Sequence, residues 1–374
     1  MRSFLVICAL AATGALAATN QIKTDFPIVA IMSHRHHQPE NPNCGMACDT
    51  IEASYVKWVE SAGARAVPVP YDASDATVEA IFHSANGLLL PGGGVPLSDA
   101  AKKFLTLARD ANAGGADYFP VWGTCLGFEW LLQFEAGTDK ILDEGFDSEN
   151  LTLALDFSDY GAQSSRVFTS NSTGFGAGAA HTGYDVAAVR GIFADKGNPV
   201  TMNNHGSGLE PRHLAANAKL AAFYKITATN LDRKGRAFVS AIEAADPRQP
   251  FYGVQFHPEK SQYEFGMVVH SGGRQHAMVN TAAGVMQRAV LGGQVAPGEM
   301  PFEVINHSRE AVLASQFLAD FFVNECRKSG HHYASAAEEQ AALMYNFVYN
   351  VSQYEAPEFV QTYYLHYSPD LLRV

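Results

Sequence analysis

Residues 119–129 read FPVWGTCLGFE. An apolar run climbs to Gly123-Thr124-Cys125-Leu126-Gly127 and continues into a helix-forming stretch. A single cysteine therefore stands at the junction of a strand and a helix, with a glycine two residues away on either side. Such an elbow has a mechanical purpose. It projects the middle side chain from the top of a sheet, and glycines remove the Cβ atoms that would clash in the turn. The N-terminus of the following helix lowers a thiol's pKa through its dipole. The N–H of the next residue, Leu126, is placed to donate to an oxyanion. With 32 glycines and 5 cysteines in 374 residues, Gly-x-Cys-x-Gly is expected about 0.04 times by chance, so the motif is informative. The bland alternative is a buried cysteine beside a turn.

Outward from the elbow the same alternation repeats. FPIVAIMS (26–33), RAVPVP (65–70), NGLLLPGGG (86–94) and FPVWGTC (119–125) read as buried strands. ASYVKWVESAGA (53–64), DATVEAIFHS (75–84), SDAAKKFLTLARDANAGG (98–115) and LGFEWLLQFEAG (126–137) read as helices, with Ser98 as a cap and glycines as stops. Apolar strands alternating with amphipathic helices predict an α/β fold whose parallel sheet is covered on both faces. Beyond residue 138 the pattern loosens, and 164–183 is small and polar, an insertion or loop. Strand signals return at AFYKITATN (222–230), AFVSAIEAA (237–245) and FYGVQFHPE (251–259), followed by a long amphipathic helix over 308–330. Neither a repeat nor a linker stands out. The reading is one elaborated domain over 26–350, after a leader at 1–18 and before a tail at 351–374.

The leader is MRSFLVICALAATGALAATN. Arg2 supplies the positive end, Phe4 to Leu10 the apolar core, and Ala15-Leu16-Ala17 a small-residue cleavage site, the pattern of a secretory signal peptide. The run is short for a membrane anchor, and no later stretch is apolar enough to be one. That route makes four sequons credible glycan acceptors on surface loops: Asn150, Asn171, Asn306 and Asn350. Cys44 and Cys48, four apart in NPNCGMACDT, read as a local disulfide in a loop. A metal reading with nearby His34, His36 and His37 is the alternative, but no zinc-like ligand spacing is present. Cys326 reads as a buried, inert thiol. The formal net charge of −12 argues against a nucleic-acid partner, which would demand a basic stripe. An anionic substrate would need a local pocket rather than the global field.

A cysteine nucleophile needs a base, and the base needs an orienter. Among 14 histidines, His257 stands out, because Tyr252-Gly-Val-Gln-Phe-His-Pro-Glu259 is an apolar strand that ends in it. Its strand end lies on the rim where open α/β sheets carry their sites. Glu259 is close enough to hold the second imidazole nitrogen. Leu90-Pro-Gly-Gly-Gly94 ends another strand, and the backbone N–H groups of Gly93 and Gly94 are candidates for an oxyanion hole. A plain glycine turn, and a stray His and Glu on a surface turn, are the competing readings.

The glycine turn, GTCLGFE and HPEK together resemble the class I glutamine-amidotransferase-like family. ASYVKWVESAGA, PVWGTCLGFE and YGVQFHPEK resemble its γ-glutamyl hydrolase branch, from about Phe26 into the C-terminal region, where FFVNECRKSGHHY and ALMYNF are also similar. The His-rich segment before Cys44 and the stretch 164–183 depart from the family pattern. The resemblance implies a flavodoxin-like three-layer sandwich with a mostly parallel central sheet. It implies a cysteine hydrolase of folate poly-γ-glutamates, working by a Cys125, His257, Glu259 triad and a thioester. It implies neither metal nor organic cofactor, an extracellular, lysosomal or vacuolar setting, and a possible homodimer. His205 in TMNNHGSG, and less so Arg274, are then candidates to hold substrate carboxylates. Two rivals remain: a glutaminase that passes ammonia to a synthase, and a non-catalytic binding protein on the same scaffold. The leader opposes the first and the intact Cys, His, Glu set opposes the second.

Overall fold

A computed structural model describes residues 22–36, 44, 48–115, 117–169, 183–265, 303–351 and 359–367. Sixteen strands occur among them. The first six are β1 (Ile28–Met32), β2 (His34–His36), β3 (Cys48–Glu52), β4 (Arg65–Val69), β5 (Gly87–Leu90) and β6 (Val121–Thr124). Five short ones follow: β7 (Asp143–Glu144), β8 (Leu151–Leu153), β9 (Asp156–Phe157), β10 (Thr201–Asn203) and β11 (Ser207–Gly208). The last are β12 (Tyr224–Leu231), β13 (Ala237–Ala244), β14 (Phe251–Val254), β15 (Tyr349–Val351) and β16 (Gln361–Leu365).

Eight strands form the central sheet in the order β4-β1-β5-β6-β14-β13-β12-β9. The run from β4 to β14 is parallel, as the alternating sequence predicts. The remaining pairings, β14 with β13, β13 with β12 and β12 with β9, are antiparallel. β1 shows how two faces are filled from one strand. Val29 and Ile31 enter one core while Ile28, Ala30 and Met32 enter the other, which is the period-2 alternation of side chains. The first core packs the helices Ala53–Ser61 and Arg309–Cys326 around Trp58, Trp122 and Phe322. The second packs Asp75–Ser84, Asp99–Gly114 and Leu126–Ala136 around Phe82, Phe104 and Phe128. The result is a three-layer α/β sandwich. Helix starts follow the capping chemistry: Ser74, Ser98 and Ser308 accept from the N–H groups of Thr77, Ala101 and Ala311.

A smaller sheet, in the order β15-β16-β3-β2, was not foreseen from the sequence. The NPNCGMACDT segment, read as a loop, enters β3 at Cys48, and residues 361–365 of the expected tail pair with it, Tyr364 facing Thr50. Asp49 fastens this sheet to the rim by accepting from Ser33 Oγ and from Tyr71 N–H, each at 2.7 Å. Cys44 and Cys48 are bonded to each other, with Cα atoms 5.3 Å apart. That bond leaves no thiolate there for a metal. Cys326 is fully buried, as read from its helix.

Among the sequons, Asn150 and Asn350 are half-buried. Asn306 corrects the surface expectation. Its side chain is 3% exposed, and Nδ2 donates to Asn198 Oδ1 at 2.8 Å and to Pro199 O at 2.7 Å. A glycan would replace one of those hydrogens in a closed space. Asn171, the leader 1–18 and Arg274 lie outside the described residues.

Candidate active site

Three parallel strands deliver the site to one rim. β5, β6 and β14 are neighbours, with Leu90 opposite Gly123 and Val254 opposite Thr124. The segments that leave their carboxyl ends are the glycine loop, the cysteine elbow and the stretch to His257. They therefore meet without any long connection.

Cys125 has φ 51° and ψ −106° and caps the helix Leu126–Ala136, a backbone region that non-glycine residues rarely occupy. Its N–H donates to Val254 O at 2.8 Å, and its carbonyl accepts from Glu129 N–H at 3.0 Å. The flanking glycines are there for close approach. A Cβ on Gly127 would sit 2.0 Å from Leu90 O, and one on Gly123 would sit 2.5 Å from Gly127 O. The elbow is pressed against its neighbouring strand on one side and its own helix on the other.

His257 is 5% exposed, and its N–H donates to Met202 O at 2.8 Å. Nδ1 lies 2.7 Å from Glu259 Oε1, and the Cys125 side chain is close enough to the ring for their charges to interact. Glu259 is fully buried. Burial works against the imidazolium, but the Glu259 carboxylate and the Cys125 side chain more than offset it and push His257 up to about 10. With Nδ1 committed to Glu259, Nε2 is the nitrogen left for the thiol. The structure thus brings Cys125, His257 and Glu259 together on one rim.

The glycine loop adds a residue to the site. Gly92, which the sequence reading passed over, is the loop residue against the reacting groups. A Cβ there would lie 2.6 Å from His257 Cε1 and 3.2 Å from Cys125 Cβ. Gly93 packs toward Leu126 and His34, whereas Gly94 has nothing within 4 Å of its Cβ position.

His205 is brought near, and its charge interacts with that of His257. Burial drives it down to about 4, so the ring is neutral near pH 7. Nδ1 is 2.7 Å from Ser207 O. A carbonyl only accepts, so Nδ1 carries the proton and Nε2 is a bare lone pair, buried without a partner among the described residues. In this state Nε2 of His205 is an acceptor rather than a donor.

Other members were hidden inside quoted motifs. Gln255 Nε2 donates to Glu129 Oε1 at 3.1 Å and lies 4.0 Å from Cys125 Sγ. Burial raises Glu129 to about 7. Glu129 stands one helical turn after Cys125, and Gln255 two residues before His257; those offsets are the only sequence signal for them. Tyr55, from ASYVKWVESAGA, has its hydroxyl 3.3 Å from His257 Nδ1. Next to Glu259 in the chain, Lys260 forms a buried ion pair with Glu303 at 2.5 Å.

The family profile for glutamine amidotransferase class-I matches residues 47–271, a span that includes Cys125, His257 and Glu259. The chain is 33% identical over 327 residues to gamma-glutamyl hydrolase B of Dictyostelium discoideum, across 86% of this chain and 78% of that one. It is 36% identical over 302 residues to gamma-glutamyl hydrolase of Mus musculus, across 79% and 77% of the two chains. It is 34% identical over 326 residues to the enzyme of the same name in Homo sapiens, across 86% and 84%. A cysteine elbow of class I amidotransferase type, in a chain alike over most of its length to several such hydrolases, belongs to the γ-glutamyl hydrolase family.

Proposed function

We propose that this hydrolase cleaves γ-glutamyl amide bonds of folate poly-γ-glutamates through Cys125, His257 and Glu259. The observation that carries the reading is the strained Cys125 elbow beside an imidazole whose Nδ1 is held 2.7 Å from Glu259. His257 takes the thiol proton, and the thiolate attacks the γ-carbonyl carbon. Charge builds on the carbonyl oxygen, where the N–H groups of Leu126 and Gly93 are the proposed donors. As the C–N bond breaks, His257 protonates the departing amine and a thioester remains. Water, losing a proton to His257, then attacks the thioester. Collapse frees the γ-carboxylate, and the thiolate is restored beside a protonated imidazole. Glu259 orients the ring and stabilises its charged form throughout.

The working place we propose is the secretory pathway, ending outside the cell or in a lysosome or vacuole. The leader and the Cys44–Cys48 bond support it. The test incubates the protein with pteroyl-penta-γ-glutamate and, separately, with glutamine, and identifies products by mass spectrometry. Shortened folates that vanish in Cys125→Ala are expected. Ammonia from glutamine beside intact folate would overturn the reading in favour of a glutaminase, and turnover of neither would favour a binding scaffold.

A further inference from the structure

We propose that Tyr55 is a positioning residue whose hydroxyl ties the glycine loop to the catalytic imidazole and so sets which loop N–H faces the oxyanion. The proposal rests on the hydrolytic reading above. Tyr55 is fully buried and sits in the first turn of the helix Ala53–Ser61. Its hydroxyl oxygen accepts from Gly92 N–H at 2.8 Å. The same oxygen is 3.3 Å from His257 Nδ1.

Two consequences follow from the donor accounting. The Gly92 N–H is already spent on Tyr55, so the loop's next N–H, that of Gly93, is left for the substrate oxygen. Nδ1 carries its proton toward Glu259, so Tyr55 oxygen is a second and longer acceptor for that same proton. A phenol that accepts from both the loop and the ring holds the two halves of the machinery at one spacing. Gly92 has no side chain because Tyr55 Oη would stand 2.8 Å from its Cβ and His257 Cε1 2.6 Å from it. The groups around His257 are Glu259 and Lys260 after β14, Cys125 at the elbow, His205 before β11, and Glu52 and Tyr55 at the start of the helix. Tyr55 is the one of these that also bonds the glycine loop. Its phenol stays neutral, since burial and the charges of Glu259 and Glu52 hold it well above its ordinary range.

A merely structural tyrosine would fill core space with its ring, and Tyr55→Phe keeps that ring. The experiment therefore compares wild type and Tyr55→Phe in two assays. The first is hydrolysis of pteroyl-penta-γ-glutamate, resolved into kcat and KM. The second is iodoacetamide alkylation against pH, which needs no substrate. On protein lacking residues 1–18, and with them Cys8, it reads Cys125, because Cys326 is fully buried with its thiol pushed well up and Cys44 and Cys48 are bonded to each other. We expect kcat to fall about fivefold or more with KM within about twofold. We expect the alkylation midpoint to rise by about half a pH unit, because the imidazolium that supports the thiolate loses an acceptor. Unchanged kcat with a superimposable alkylation profile would overturn the proposal. So would a loss confined to KM, or a fall in Tm that accounts for the loss of activity. If wild type cleaves no folate yet the alkylation midpoint still moves, the substrate reading fails and the positioning role stands.

Discussion

Cys125 holds a conformation that costs about 1–3 kcal/mol for a residue with a side chain, and its neighbours explain why it persists. Its N–H is bonded into β14, and the helix after it packs on Leu90 through a bare Gly127. The reaction is sensitive to single atoms here. Gly92→Ala places a methyl group within 3.2 Å of Cys125 Cβ and closer still to His257 and Tyr55. We predict that it lowers kcat/KM by on the order of a hundredfold, while Gly94→Ala, whose Cβ meets nothing within 4 Å, stays within about twofold. Equal losses in steady-state assays of the two variants would contradict the assignment of loop roles. Glu259→Gln removes the charge that raises His257. The imidazole pKa should then fall, the thiolate–imidazolium pair should break at lower pH, and kcat should drop by on the order of a hundredfold or more. A pH–rate profile whose alkaline limb stays in place would count against Glu259 as the orienter.

At the scale of elements, the Cys44–Cys48 bond closes a very short loop at the start of β3, next to the cluster it forms with Tyr364. Chain-entropy arguments give such a loop about 2 kcal/mol. The double variant Cys44→Ser, Cys48→Ser should therefore unfold at lower denaturant concentration with an unchanged m-value, and an unchanged midpoint would show that the clip does not constrain the sheet. The parallel half of the fold was legible because each of its strands is a continuous apolar run that needs no partner to be recognised. β5 and β6 are examples. β3 was not legible: CDTIE alternates no cleanly apolar face, and its partner β16 lies about three hundred residues away in the chain. The site divides the same way. Cys125 and His257 sit at the ends of readable strands. Tyr55 reaches His257 across 202 residues, and its role depends on where two backbones pass, which no local pattern encodes. The same holds for Gly92 against Gly94, three glycines in a row being equivalent until the fold distinguishes them.

For the whole molecule, buried ionisable groups set a pH preference. Burial raises Glu52, Glu129 and Glu264 from 4.5 to about 7. Their folded forms bind protons more tightly than the unfolded chain, so this contribution falls as pH climbs from 4.5 to 7. His257, raised from 6.5 to about 10, stabilises fully below 6.5 and loses that contribution as pH rises to 10. His34 and His205, pushed down to about 4, act in the opposite sense, gaining between 4 and 6.5. The two sets oppose each other only below 6.5. We predict a Tm that peaks on the acid side of neutral and declines steadily toward pH 9, read by thermal unfolding across buffers; a Tm that climbs from pH 7 to 9 would refute it. The pairing of β16 with β3 reaches further, into the timing of synthesis. β3 runs directly into the helix that carries Tyr55, and Thr362 faces Glu52 at that junction. The central sheet can assemble while the ribosome is still adding residues, but the strand that braces the entrance to this helix emerges about a hundred residues after the last strand of that sheet. A nascent chain would then hold its cysteine elbow well before its helix entrance is braced, so hydrolysis should switch on only once β16 has emerged, rather than rise gradually as the chain grows.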